Sequence, residues 1–227
     1  MERRTFLHGA AWTAASFSRV AGANSRVNIG LIGCGGRGSL DARLIRGTPD
    51  DIRAVAPDNY HEGKLDPRLQ APSGVEITAL CDVIQERLNR ARQWAPAART
   101  YADFRQLLEA RDVDAVVIAT PDHWHAIMTI LACQAGKDIY LEKPVMYSIR
   151  EAKPIREAVR RHERILQIGT QHRAADHIAE ASRIIRSGRI GEVYFVRVWN
   201  YLNMGKRRPQ PDAPAPPGLD WDFWLGP

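Results

Sequence analysis

Gly33-Cys34-Gly35-Gly36-Arg37-Gly38 has the spacing G-x-G-x-x-G and directly follows a short β-rich run, Arg26 to Ile32, where a helix opens. In that setting Gly33 permits a tight turn, Gly35 lets the backbone approach a pyrophosphate, and Gly38 lets the helix pack close on the strand. Gly36 and Arg37 complete the loop. The helix N-terminus then offers unpaired N–H groups and a positive dipole end to phosphates. The chemistry implied is the binding of a dinucleotide. A carboxylate about twenty residues further on ordinarily takes the adenosine ribose, and two candidates compete. Asp58 stands at nearly the usual distance, but Pro57 precedes it and a loop follows. Asp82 ends the run Val75 to Cys81 and precedes a good helix, the strand-Asp-helix order that puts a carboxylate beside the ribose, so Asp82 is preferred. A carboxylate there accepts from the 2′-hydroxyl and repels a 2′-phosphate, which favours NAD over NADP. Arg37 argues the other way, because a nearby guanidinium can recruit that phosphate.

Two further segments carry reactive side chains. Glu142-Lys143-Pro144 follows a strand ending at Leu141, so it lies at the C-terminal edge of a sheet, where ligands bind in open α/β folds. A lysine there can donate to a substrate hydroxyl and to the nicotinamide ribose, and can help pass the proton lost when an alcohol becomes a ketone. Thr120-Pro121-Asp122-His123-Trp124-His125 ends the preceding strand at the same edge. Its two histidines have no Cys or carboxylate partner, and no metal site is read there.

The elements that must position these residues alternate. Strands are predicted over Arg26 to Ile32, Val75 to Cys81, Asp114 to Ala119, Asp138 to Leu141 and Ile165 to Ile168. Helices are predicted through about Ile45, over Gln85 to Trp94, over Asp103 to Ala110 with Asp103 as N-cap, and over Asp122 to Ala135 with Gly136 as its stop. A Ser148/Glu151 capping box starts another, to about His162, with Pro154 an awkward passenger. Strand-helix alternation at crossover spacing predicts an α/β fold with a doubly wound parallel sheet. Four prolines among Asp, Asn and Gly mark residues 47–74 as a surface insertion. Beyond Gly169, a helix is predicted over Ala174 to Ser187 and a β-rich run over Glu192 to Tyr201. A Pro-rich tail, Lys206 to Pro227, ends the chain. A lone strand and such a tail cannot bury themselves, so residues 171–227 read as the start of an incomplete second domain.

With 44% hydrophobic and 26% charged residues, the 227-residue chain is that of an ordinary globular protein. Its net charge of +6 comes from scattered arginines with no basic, aromatic-interleaved stripe, so nucleic acid is not expected as a partner. No apolar run is long enough to span a bilayer. Cys34, Cys81 and Cys133 have neither metal-site nor disulfide spacing. Residues 1–25 resemble a twin-arginine export signal: Arg3-Arg4-Thr5-Phe6-Leu7, an apolar stretch from Ala10 to Phe17, and Ala21-Gly22-Ala23 before a cleavage point. Export to the periplasm follows as an expectation, by a route suited to a protein folded around its cofactor.

The glycine fingerprint, Thr120-Pro121 with His125, and Glu142-Lys143-Pro144, in that order, resemble the Gfo/Idh/MocA family of oxidoreductases from about Asn28 onward. Ile168 to Arg173 and Leu219 to Pro227 are similar to an exported bacterial branch. The resemblance implies a Rossmann domain, here residues 26–170, followed by a larger α/β open-sheet domain of which this chain carries only the beginning. It implies hydride transfer between NAD and a carbon of a sugar or inositol-like polyol. Lys143 would belong to the catalytic group and touch substrate. Gly33, Gly35, Gly36, Arg37, Gly38, Asp82, Thr120, Pro121, His125, Glu142 and Pro144 would face the cofactor, and Pro144 would follow a cis peptide. The family's base and its orienter, an Asp and a His, would lie further along, and His172 is at most a substrate or cofactor contact. The full-length protein would be a homo-oligomer. Within the family, an NAD-dependent glycosidase that oxidises its substrate transiently is the alternative. A dinucleotide-binding fragment without chemistry of its own is another.

Overall fold

The computed structural model describes residues 26–55, 60–61, 64–65, 74–199 and 211–226. The twin-arginine segment and Asp58 lie outside the described residues. The chain divides into two units, residues 1–168 with 218–227, and residues 169–217.

Strands β1 (Val27–Ile32), β4 (Val75–Cys81), β5 (Arg99–Tyr101), β6 (Ala115–Ile118), β7 (Asp138–Glu142) and β8 (Leu166–Gly169) form a six-stranded parallel sheet. Its order is β5-β4-β1-β6-β7-β8. A two-residue hairpin, β2 (Tyr60–His61) and β3 (Lys64–Leu65), stands apart from it. The chain starts in the middle, runs outward through β4 to β5, then crosses back to β6 and runs the other way. This reversal puts the switch point between β1 and β6, and the crevice outside the strand C-termini there is where such sheets bind ligands.

Helices cover both faces, which is why the central strands read as nearly continuous apolar runs. On one face Ile29, Leu31, Ile77, Leu80 and Val117 pack with α1 (Gly36–Arg46) and α3 (Gln85–Trp94), through Ala42, Leu88 and Ala91. On the other, Ile32, Val116, Ile118 and Leu141 pack with α4 (Phe104–Leu108), α5 (His125–Gln134) and α6 (Ala152–Arg161), through Phe104, Leu107, Met128 and Ala158. The alternation of Leu31 with Ile32, and of Val116 with Val117, is the strand period of two distributing one sequence between two cores. Asp103 caps α4 by accepting from the Arg105 N–H at 2.9 Å. The Ser148/Glu151 capping box is present. Pro154 sits in the first turn of α6, where its missing N–H would have no intrahelical acceptor.

Three expectations meet a different outcome. The stretch read as a surface insertion from residue 47 begins with a helix, α2 (Pro49–Val55). Gly47 closes α1 in the left-handed region, the Thr48 hydroxyl accepts from the Asp51 N–H, and Pro49 opens α2. Gly, Thr, Pro and Asp therefore serve here as a helix stop and a helix start. Ile52 is fully buried, and the buried Asp51 carboxylate accepts from Arg43, Arg46 and Thr48. The β-rich run from Glu192 forms no regular structure through residue 199, and Tyr194, Val196 and Val198 are exposed. β-branched and aromatic residues favour a strand only where a neighbour offers pairing and burial, and among the described residues none does. The end of the tail does pack, leaving Leu219, Phe223 and Trp224 partly buried. Leu219 bridges Ile84, and α8 (Trp221–Leu225), capped by Asp220, packs on the first unit. In the second unit α7 (Asp176–Arg186) leaves Ile178 and Ile185 about half exposed.

Candidate functional site

The three sequence segments and Asp82 meet at one edge of the sheet, because each directly follows the C-terminal end of a strand: Gly33 after β1, Asp82 after β4, Thr120 after β6, and Lys143 after β7.

Gly33 has φ +94°, and a Cβ there would lie 2.6 Å from the Ala119 carbonyl oxygen. At Gly38 a Cβ would fall 2.0 Å from the Gly33 carbonyl oxygen, so α1 can approach β1 this closely only with glycine. Gly35 and Gly36 differ. Around Gly36 a Cβ would meet nothing within 4 Å, and around Gly35 only the Arg87 guanidinium. Gly35 is the extended N-cap of α1, and no side chain caps the helix. The loop is thus an open cradle in front of an uncapped helix N-terminus, suited to an anion the size of a phosphate.

The Asp82 carboxylate is almost wholly buried. It accepts from the Cys34 N–H at 2.8 Å and the Ile84 N–H at 2.9 Å, which ties the glycine loop to the end of β4. Burial pushes its pKa up, against the opposing pull of those N–H groups and of Arg87. Burial likewise pushes the Cys34 and Cys81 thiols up, so both behave as small apolar groups. Arg87 brings a guanidinium nitrogen 3.9 Å from Asp82, beside Gly35. Sequence reasoning missed this residue. It is one arginine among several on α3, and only the fold turns it back onto the loop.

Arg37 is committed elsewhere. Its Nε donates to Asp41 at 3.1 Å and its Nη2 to Glu142 at 3.0 Å. Asp41 and Glu142 are both buried, two carboxyl groups facing the one Arg37 guanidinium. Burial, with Glu142 beside it, raises the Asp41 pKa to about 6 against the pull of Arg37. Glu142 also accepts from the Lys143 N–H, so this cluster fixes the turn that carries Lys143. The Lys143 side chain is exposed, and its ammonium has no partner among the described residues. The Lys143–Pro144 peptide is cis. His125, buried under the same edge, places Nδ1 2.5 Å from the Pro144 carbonyl oxygen and Nε2 2.9 Å from that of Thr120. It staples the β6 and β7 loops together. His172 lies in the second unit, in the turn Gln171–Ala174, with its side chain outside the description. Among the described residues no three His, Cys, Asp or Glu side chains cluster as metal ligands, and no helix is long and apolar enough to cross a membrane.

A narrow cleft opens at the β1, β4 and β6 ends, bordered by Gly33, Asp82 and Thr120. The residues present fit a dinucleotide: an uncapped glycine cradle for phosphates, a carboxylate one strand away for a ribose, and an apolar cleft beyond. The family model described as "Oxidoreductase family, NAD-binding Rossmann fold", GFO_IDH_MocA, matches residues 27–170, more than half of the chain. The chain belongs to this family.

The Gfo/Idh/MocA relatives include an inositol 2-dehydrogenase of Salmonella paratyphi B, 31% identical over 131 residues, covering 57% of this chain and 39% of the relative. A glycosyl hydrolase family 109 protein of Solibacter usitatus is 31% identical over 153 residues, covering 61% and 30%. Among solved structures, an NAD binding oxidoreductase from Klebsiella pneumoniae has a TM-score of 0.57 at 30% identity, over 74% of this chain and 40% of that one. The chain therefore spans no more than about two-fifths of these Gfo/Idh/MocA proteins.

Proposed function

We propose that this chain is the cofactor-binding part of an NAD(H)-dependent oxidoreductase acting on a secondary alcohol of a sugar or polyol. The observation that carries the reading is the convergence, on one sheet edge, of the uncapped glycine loop, the buried Asp82 carboxylate and the exposed Lys143 side chain. The glycine loop and α1 hold the pyrophosphate. Asp82, still carrying free lone pairs after two N–H contacts, accepts from the ribose hydroxyls and disfavours a 2′-phosphate. Arg37, held by Asp41 and Glu142, is not free to recruit that phosphate. The cofactor supplies a hydride acceptor, so that oxidation of the alcohol sends a hydride to the nicotinamide and a proton to solvent. Lys143 donates a hydrogen bond to the reacting oxygen and helps move that proton, with Glu142 and His125 keeping its turn in place.

The similarity to a family 109 glycosyl hydrolase favours one second reading, a redox-assisted glycosidase on the same site. Export by the twin-arginine route and a homo-oligomeric full-length protein remain part of the proposal.

The test begins with thermal unfolding of the chain in the presence of NADH and NADPH. NADH raises the midpoint more than NADPH, and a cooperative transition that neither ligand moves sinks the reading. Turnover is then followed in the full-length protein with NAD and a panel of polyols and aryl glycosides. Net NADH marks the dehydrogenase, and aglycone release without net NADH marks the glycosidase. Lys143→Met lowers kcat by ~10²–10⁴-fold, the usual contribution of a proton-transfer group, with NADH affinity preserved. Unchanged kcat removes Lys143 from the reaction.

A further inference from the structure

The cleft beside the glycine loop has one wall made by residues that no dinucleotide fingerprint contains. Phe223 and Trp224 of α8 line it together with Gly33 and Asp82, and Phe104, Trp124 and Met128 line it too. These residues arrive from far along the chain and are held by several independent devices. Leu219 makes a bridge to Ile84, two residues from Asp82. The Trp124 indole N–H donates to the Trp224 carbonyl at 3.2 Å, and His123 Nε2 lies at the same distance from that oxygen. Phe223 stacks on Phe104 with centroids 6.1 Å apart and meets Trp124 edge-on at 5.3 Å. Gly226, at φ +69°, passes so close that a Cβ would lie 2.6 Å from the Trp124 ring. The position of this strap is therefore built into the unit.

We propose that the segment Leu219–Gly226 is a component of the cofactor site, and that Trp224 and Phe223 form the aromatic wall against which the adenine ring of the dinucleotide lies. This rests on the reading of the site as NAD(H)-binding. Three observations direct the base to this wall. Asp82 marks the ribose, and the base attached to that ribose must lie within a few ångströms of it, in the cleft Asp82 borders. The lining is mostly aromatic and apolar, with Asp82, Arg87 and Thr120 as its polar side chains. That suits a flat heteroaromatic ring and not a sugar, which needs a hydrogen-bond partner for each hydroxyl. Lys143 does not line this cleft, so the reacting end of the cofactor lies elsewhere along the edge.

Calorimetric titration of the full chain with NADH, ADP-ribose and nicotinamide mononucleotide tests the proposal. An aromatic face under a base contributes ~1–3 kcal/mol, so Trp224→Ala weakens NADH and ADP-ribose by roughly 5- to 150-fold. Nicotinamide mononucleotide, which has no adenine, is unaffected. Trp224→Phe, which keeps an aromatic face, recovers most of the loss. Gly226→Ala, which lines no part of the cleft but pushes the strap off Trp124, reproduces the ligand-selective loss and serves where Trp224→Ala does not fold. Wild-type binding of NADH with unchanged affinity in these variants overturns the proposal and leaves the cofactor reading standing. So does a loss of equal size for the mononucleotide, which marks a general disturbance of the fold. A folded wild-type chain that binds no NADH overturns the cofactor reading, and the strap's role with it.

Discussion

Asp41→Asn should stabilise this protein, although it removes a charge that faces an arginine. Asp41 is buried between Arg37 and Glu142, and its pKa stands at about 6, against an ordinary 3.8. Holding a carboxyl at about 6 against 3.8 corresponds to roughly 3 kcal/mol. The folded carboxyl holds its proton to higher pH than the unfolded one. Its contribution to stability is therefore complete below about pH 3.8 and is lost as the pH rises through about 6. At pH 8 the Asp41 carboxylate is held buried beside Glu142, with the Arg37 guanidinium facing both. An Asn at this position resembles the protonated acid, since its oxygen accepts from Arg37 and its amide donates to Glu142. The variant should gain up to ~3 kcal/mol at pH 8, a rise in midpoint of roughly 6–12 °C for a chain of this size. The gain should shrink to nothing near pH 4. Thermal unfolding of both proteins from pH 4 to 8 measures it, and the difference between them cancels every other titrating group. A variant less stable than wild type at pH 8, or a gap that does not change with pH, would refute this account of the buried Asp41 carboxyl.

The two ends of the glycine loop should respond oppositely to a methyl group. Gly38→Ala drives a Cβ into the Gly33 carbonyl and should cost at least ~1–3 kcal/mol, as overpacking does, while weakening NADH. Gly36→Ala, in open space, should leave the unfolding midpoint unchanged or slightly raised. Equal midpoints for the two would show that close packing of α1 on β1 is not what the fingerprint secures. Asp51→Asn removes the buried negative charge that faces Arg43 and Arg46 and should destabilise by roughly 3–5 kcal/mol. Arg46, Thr48 and Arg43 outweigh burial and hold the Asp51 carboxyl below the ordinary 3.8, so its stabilisation is present above that pH and lost as the pH falls below it. Denaturant titrations at pH 7 and pH 3 should show the gap narrowing in acid, and a gap as wide at pH 3 as at pH 7 would count against the ion-pair account.

The strands, their alternation with helices and the glycine fingerprint were legible in the sequence because each depends on local rules: a period of two or 3.6, a cap, a position where only glycine fits. Such rules act over a few residues, so the order of residues alone specifies them. They also bring Asp82, Thr120 and Lys143 to one edge, since each follows directly on a parallel strand. What local rules misjudge is a residue with two uses. Gly47-Thr48-Pro49 looks like a loop and is instead the seam between two helices. Val193 to Val198 looks like a strand, but strand formation needs a neighbour that composition cannot supply. Only the tertiary structure decided which charges meet. Arg37 meets Glu142, 105 residues away, and Arg87 meets Asp82, because packing α1 and α3 on the sheet carries both arginines to the C-terminal ends of the strands. It alone also decided that an aromatic segment more than ninety residues beyond Trp124 returns to cover the cleft. Burial of large rings rewards proximity in space whatever the separation along the chain.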